Sequence, residues 1–383
     1  MLPVSYALRN LLRSPGRLVQ VVVGSGLVVL LLCLAAAFQT GMDRALEASG
    51  DARNVIVLGA GSEESAERSE IKASVPQIIA ASVPGIAEDY GQPAVSGEVV
   101  YNGEVTVLGE KAQGLLRGVT PAAVQVHRSV RVVEGDFPAP GEVLVGASAA
   151  RVLGVPETAL AIGSSLQIED ETFTIAGRFV APGSVLASEI WVPRSQLMAI
   201  SGRDTISCAV VRMAADGDVS DLEYFAATRL DLELVAIPEP AYYAKLASFY
   251  GPIKLMAWIT ALLVTAAAIM GGMTTLYAAI VTRIRELATL QAIGFRHWMI
   301  VLSVIQEGIL AVGLGVLAAL ALALGLFDGL ELALASGAFA LHISPGILLL
   351  GLLSGLALAL IGCAAPLWRC LVPPLATTLR GVA

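Results

Sequence analysis

The chain has 383 residues, 56% of them hydrophobic and 15% charged, with a mean hydropathy of +0.76. Soluble globular proteins carry about 25% charged residues, so this composition excludes a wholly water-soluble chain. Residues 39–252 hold 28 of the 32 acidic and 15 of the 24 basic residues. That net charge of −13, against −8 for the whole chain, argues against nucleic acid and anionic lipid headgroups as partners of that stretch.

In residues 1–17, Val4, Ala7, Leu8, Leu11 and Leu12 recur at helical spacing while Arg9 and Arg13 fall on the other face. This pattern predicts a basic amphipathic helix on the inner membrane surface, ended by Ser14-Pro15-Gly16. Simple topogenic charge is a second reading compatible with the first. Residues 18–38 are an apolar run long enough, at about 1.5 Å rise per residue, to cross a hydrocarbon core of about 30 Å. Ala35-Ala36-Ala37 offers small residues for cleavage, but the run exceeds the roughly 7–15 residues of a signal-peptide core, so a retained helix is expected.

Residues 39–252 read as a mixed α+β domain. Strands are expected at 54–58, 206–213 and 232–237, a loop at 59–72 and a helix at 75–82. Asn102-Gly103 between 95–101 and 104–108 is a strong hairpin signal, and 165–168 with 172–180 forms a second hairpin around an acidic turn. Ser220-Asp221-Leu222-Glu223 has capping-box spacing and predicts a helix to about Arg229. The outline places one subdomain on the two flanks and a β-rich insertion at about 91–203. Glu169-Asp170-Glu171 reads as a solvated turn rather than a cation site. There is no G-x-S-x-G and no H-E-x-x-H. His127, His297 and His342 lie in three separate regions, and Cys208 is alone in the domain, so neither a metal centre nor an internal disulfide is expected.

Three further apolar runs follow, at 253–281, 299–327 and 343–367. The 282–298 connector keeps Leu287, Leu290 and Ile293 at helical spacing with charge opposite, and Gly294 is placed to end that helix. A short amphipathic helix can dock into a partner's groove; an ordinary basic loop is the other reading. Glu307 lies inside the third run, either facing the bundle interior or snorkelling to the interface. Gly351-Leu-Leu-Ser-Gly355 is a small-residue packing motif, with Ala359 following and Gly24 and Gly26 thinning the first run. Cys33 and Cys363 lie within apolar runs, and Cys370 follows the last. Arg9, Arg13 and Arg17, then Arg283, Arg285 and Arg296, then Arg369 and Arg380 flank the runs, whereas the 328–342 connector has Asp328 and Glu331 and no Lys or Arg. The positive-inside rule places both termini (the tail being 368–383) and the 282–298 connector in the cytoplasm, and 39–252 in the periplasm of a two-membrane envelope.

The chain resembles MacB/FtsX-type permeases, the four-helix subunits of mechanotransmission ABC transporters. The resemblance rests on Tyr6–Pro15, on Arg285-Glu286-Leu287-Ala288-Thr289-Leu290-Gln291-Ala292-Ile293-Gly294-Phe295, and on Ala365–Arg369 with Pro374–Arg380. Glu307 falls where the family often carries an acid. In the large domain, Val133–Phe137, Gly141–Gly146 and Ser188–Pro193 are similar to the MacB periplasmic core. Gln291 and Cys370 depart from the family pattern.

The resemblance implies four transmembrane helices and an extracytoplasmic α+β domain of periplasmic-core type, porter-like with a β-rich insertion. It implies a permease working as a homodimer or with a related paralogue, bound to two copies of an ABC ATPase. Arg283, Arg285, Glu286, Leu287, Leu290, Ala292, Ile293, Gly294 and Phe295 would form the ATPase-coupling helix. About 39–47 and 241–250 would extend the first two spans as a stalk. A periplasmic adaptor or substrate protein and membrane lipids are further expected partners. The sequence has no G-x-x-x-x-G-K-[ST], so no cofactor is expected on this chain, and ATP and Mg²⁺ belong to the separate ATPase. The expected activity is export or extraction of a lipid, lipoprotein, peptide or amphipathic compound from the inner membrane. The alternative is an ABC-linked module that senses a ligand or regulates an envelope enzyme without transport. An enzyme in the large domain is disfavoured, because no catalytic set is found.

Overall fold

The computed structural model describes residues 9, 11–282, 289, 293–294, 296–334 and 337–371. The chain divides into a helical unit (Met1–Thr40, Pro252–Leu330 and Leu341–Ala383) and an α/β unit (Gly41–Gly251 and Glu331–Ala340).

Among the described residues, four helices are long and apolar enough to cross a membrane: α1 (Pro15–Ser49), α2 (Gly251–Thr282), α3 (His297–Leu322) and α4 (Pro345–Leu371). Proline opens α1, where its missing N–H is one that a helix leaves unpaired anyway, and the Ser14 carbonyl accepts from Leu18 N at 3.1 Å. Glycines let the helices approach. A Cβ on Gly26 would lie 3.1 Å from the Gly315 carbonyl oxygen, so α1 and α3 meet backbone to backbone. The G-x-x-x-G pair is spent inside the chain. A Cβ on Gly351 would lie 2.9 Å from Cys33 Sγ and 2.8 Å from a Leu320 methyl, and Gly355 packs against Val316. Only 6% of the apolar stretch of α2 is buried, against 39%, 33% and 39% for α1, α3 and α4.

In the α/β unit ten strands form one sheet: β1 (Asn54–Gly59), β2 (Val95–Val107), β3 (Glu110–Val119), β4 (Arg131–Gly135), β5 (Glu142–Gly146), β6 (Ser165–Ile168), β7 (Glu171–Val180), β8 (Ile190–Pro193), β9 (Cys208–Arg212) and β10 (Leu234–Pro238). Their order is β10-β1-β9-β2-β3-β8-β5-β7-β4, with β6 paired to β7 and β2. The long strand β2 joins the flanking and inserted parts. Its first residues pair with β9 (Glu98 opposite Cys208), and the rest pair with β3 (Val100 opposite Arg117). The main core gathers Val55, Ile79, Val99, Leu116, Ile190 and Leu222; a smaller one surrounds Phe179 and Trp191. The fold is therefore four membrane-type helices with an inserted α+β domain.

Several local expectations change. Asn102-Gly103 is no turn: Asn102 pairs with Leu115 and Gly103 with Gly114 inside continuous strands. The turn is Leu108-Gly109, both at positive φ (53° and 86°). Gly103 is needed for close approach instead, since a Cβ there would lie 2.5 Å from the Tyr101 ring. The helix expected from Ser220 begins at Val219, and its cap is Asp218, whose carboxylate accepts from Ser220 N at 2.9 Å. The strand expected at 206–213 is broken at Ser207, which accepts from Val100 N. The 59–72 loop contains a 3₁₀ turn, Ala66–Arg68, and a two-residue strand, Ile71–Lys72. In the acidic turn Asp170 and Glu171 are exposed, as a solvated turn requires, while half-buried Glu169 accepts from Tyr101 Oη and Glu104 N, each at 3.1 Å, and pins the turn.

Residues read only as a short connector form a hairpin, β11 (Glu331–Leu334) and β12 (Gly337–Ala340). It belongs to the α/β unit, where Glu331 pairs with Arg151.

Candidate functional site

The α/β unit carries a buried charged cluster that pattern reading missed. Glu98, Arg117, His127, Glu189 and Glu239 are all buried. Strand alternation and register explain the start of it. Glu98 and Val100 share one face of β2, and Arg117 lies opposite Val100 on β3, so Glu98 and Arg117 emerge on the same side. Arg117 Nη1 donates to Glu98 Oε2 at 2.7 Å. Its Nε and Nη2 grip both Glu189 oxygens at 2.6 Å, the fork geometry that suits guanidinium to carboxylate. Glu189 stands just before β8 and also accepts from Trp191 Nε1 at 3.0 Å. His127 Nε2 lies 2.9 Å from Glu98 Oε1.

Glu239 opens the helix Glu239–Phe249. Its Oε2 accepts from Asp51 N and Asn54 Nδ2, each at 2.9 Å, while its Oε1 is buried with no hydrogen-bond partner. Arg212 braces this side, donating to Asp51 Oδ2 at 2.8 Å and Asn54 Oδ1 at 3.1 Å. Above the cluster is a cavity of about 390 Å³, walled by Arg117, His127, Glu189 and Glu239 and by Tyr242, Tyr243 and Phe249 of the helix.

The charges set one another's protonation. Burial alone would raise the Glu98 carboxyl, but His127 and Arg117 outweigh it and hold it down at about 2. Burial would lower His127 and Arg117. The Glu98 carboxylate instead raises His127, and Glu189 with Glu98 holds Arg117 well above its ordinary value. At Glu239 burial wins and raises the carboxyl, against the opposing pull of His127.

A pH dependence follows. Glu98 contributes stability that is full above its ordinary 4.5 and lost as pH falls towards about 2. His127 contributes stability that is full below its ordinary 6.5 and lost as pH rises through its raised value. Glu239 adds a loss in the same alkaline direction, beginning above 4.5. The thermal midpoint of the α/β unit, followed by circular dichroism from acid to alkaline pH, should fall on both sides. His127→Gln should flatten the alkaline arm.

In the helical unit Arg17, near the start of α1, donates to Glu307 Oε1 on α3 at 2.5 Å. Both are largely buried and line a cavity of about 180 Å³ with Gly24, Ser25, Gly271 and Cys363. Glu307 thus faces an interior partner. Of the expected coupling residues, Arg283, Arg285, Glu286, Leu287, Leu290, Ala292 and Phe295 lie outside the described residues, as do 1–8 of the expected N-terminal helix. Ile293 N donates to the Thr289 carbonyl at 3.0 Å, and Gly294 has φ +108°. Among the described residues, no group of three or more His, Cys, Asp or Glu is placed to hold a metal ion.

Isolated acids in apolar strands were the available signal for the cluster. Glu98 precedes Val99-Val100, and Glu189 precedes Ile190-Trp191-Val192. A charge inside such a run costs several kcal/mol unless paired, so each implies a buried partner without saying which.

No curated protein sequence matches the chain. Among solved structures it is similar to the periplasmic region of MacB from Actinobacillus actinomycetemcomitans. That match has 13% identity, covers 49% of this chain and 90% of that one, and has a TM-score of 0.39. It is also similar to the extracellular domain of the ABC-type transporter YknZ from Gram-positive bacteria, at 13% identity, covering 48% and 99%, with a TM-score of 0.38. Residues 19–223 match the profile of the MacB-like periplasmic core domain, and residues 258–372 match that of the FtsX-like permease C-terminal region. The two matches leave out little beyond the chain ends and residues 224–257, and the chain belongs to the MacB/FtsX-type ABC permease family.

Proposed function

We propose that this chain is the permease subunit through which a separate ABC ATPase drives motion across the inner membrane into the α/β unit, for export or extraction of an envelope substrate. The observation that carries the reading is the order of the two matched regions on one chain: a core domain at 19–223 and a permease region at 258–372 that contains the 282–298 connector. The connector, with Arg283, Arg285, Glu286, Leu287, Leu290, Ala292, Ile293, Gly294 and Phe295, is the coupling segment, cytoplasmic with both termini. Gly294, at φ +108°, supports an end to a helix there. The α/β unit is periplasmic. The slight burial of α2 supports a second permease chain beside it. Helix Glu239–Phe249 ends one residue ahead of α2 in the chain, so motion of α2 would pass along the backbone into the helix that Glu239 opens.

The test is ATP hydrolysis by the ATPase recovered with the full-length chain in lipid nanodiscs. The permease should stimulate hydrolysis several-fold, and Glu286→Ala or Gly294→Val should remove most of the stimulation while leaving the thermal midpoint of the α/β unit in place. Unchanged stimulation in both variants would remove the connector from its assigned role.

A further inference from the structure

The cavity over the charged cluster has the makings of a ligand site, and Glu239 decides its chemistry. Three carboxylates (Glu98, Glu189, Glu239) meet one guanidinium (Arg117) and one imidazole (His127). Arg117 is shared between Glu98 and Glu189, and His127 bonds to Glu98. Glu239 therefore lacks a hydrogen bond to either cationic group, and its Oε1 is buried with no hydrogen-bond partner among the described residues. A buried carboxylate oxygen in that state costs free energy that a bound cationic donor would recover. The other charged wall residues, Glu64, Glu67 and Arg68, again leave one acid in excess.

Most of the rest of the wall is apolar or aromatic, including Ile56, Val210, Tyr242, Tyr243, Phe249 and Tyr250, with Ser65 and Asn102 as its uncharged polar residues. At about 390 Å³ the space falls within the range of roughly 300–1,000 Å³ typical of small-molecule sites. Aromatic walls with acids in excess suit an ammonium head on an apolar body, because ring faces attract cations and a carboxylate fixes the head. We propose that this cavity binds a small organic ammonium compound with an apolar body, held at its charged end by Glu239. The site goes beyond the permease reading and does not depend on ATPase coupling. It lies against helix Glu239–Phe249, so an occupant would touch the segment that leads into α2.

The test is calorimetric titration of the full-length chain in detergent, with empty micelles as blank, using benzyltrimethylammonium, benzyl alcohol and benzenesulfonate. The cation should bind one per chain and at least about tenfold more tightly than either of the others. Glu239→Gln, which keeps an oxygen for Asp51 N and Asn54, should weaken the cation at least about tenfold and leave benzyl alcohol unchanged. Leu246 also lines the cavity; Leu246→Trp, which places an indole there, should abolish binding and keeps the test decisive if Glu239→Gln fails to fold. Equal affinity for all three probes, no saturable binding of the cation, or undiminished binding in Leu246→Trp would overturn the proposal.

Discussion

Replacing Arg117 with Leu should destabilise the α/β unit by about 3–5 kcal/mol, the usual cost of breaking a buried ion pair from one side. Arg117 holds two buried carboxylates, Glu98 and Glu189, through three hydrogen bonds of 2.6–2.7 Å. Without it Glu98 keeps His127 as its charged partner, Glu189 keeps only the Trp191 Nε1 donor, and one or both acids must take up a proton. For a domain of this size that cost corresponds to a fall of roughly 6–20 °C in the thermal midpoint. Removing the ion triad together, Glu98→Leu with Arg117→Leu and Glu189→Leu, should recover part of the loss, because apolar side chains of similar volume replace buried ion pairs at little cost, although His127 and Trp191 lose their carboxylate partners. Circular dichroism melts of the full chain read both effects. A single-variant loss below about 1 kcal/mol would mean that the guanidinium is not holding the two acids as drawn.

The second large effect lies in the helical unit. Arg17 and Glu307 form an ion pair between α1 and α3, on helices that already meet at Gly26 and Gly315. Glu307→Ala or Arg17→Ala breaks this ion pair from one side at a largely buried site, and each should cost about 3–5 kcal/mol. The exchanged pair, Arg17→Glu with Glu307→Arg, should recover a substantial part, which isolates the pairing from the loss of either side chain. Thermal unfolding of the purified chain in detergent measures all four proteins. Additive losses, with no recovery on exchange, would assign Glu307 to the membrane interface instead.

How far the sequence carried depended on the range of the interaction. Helix Val75–Ser82 was legible from local periodicity, and its residues Val75 and Ile79 are buried as that periodicity requires. The four spans were legible because a bilayer demands long apolar runs. Asn102-Gly103 misled because a turn signal is local, whereas Gly103 answers to the Tyr101 ring beside it. Ser220 misled because Asp218 caps the same helix from two residues earlier and already lies in the extended conformation a cap needs. The hairpin at 331–340 gave no signal beyond two acids, Asp328 and Glu331; its order comes from packing in the α/β unit, where Arg151 meets Glu331.

The charged cluster was illegible for a different reason. Its members are brought together by strand order, β9-β2-β3-β8, and by the helix that follows β10. No local window holds two of them in register. His127, one of three histidines scattered along the sequence, closes the cluster only because the turn after Val126 places its ring against Glu98 and 6.0 Å from Trp191.

The central claim is that an ATPase works on this chain through residues 282–298. The most direct measurement places a photo-reactive amino acid at Leu290 in the full-length chain, irradiates native membranes and identifies the adduct. A covalent adduct with a nucleotide-binding subunit, lost when the reactive residue is moved to Leu108 at the tip of the β2–β3 turn, is the predicted result. No adduct with any nucleotide-binding chain at Leu290, from a chain that is folded in the membrane, would contradict the account.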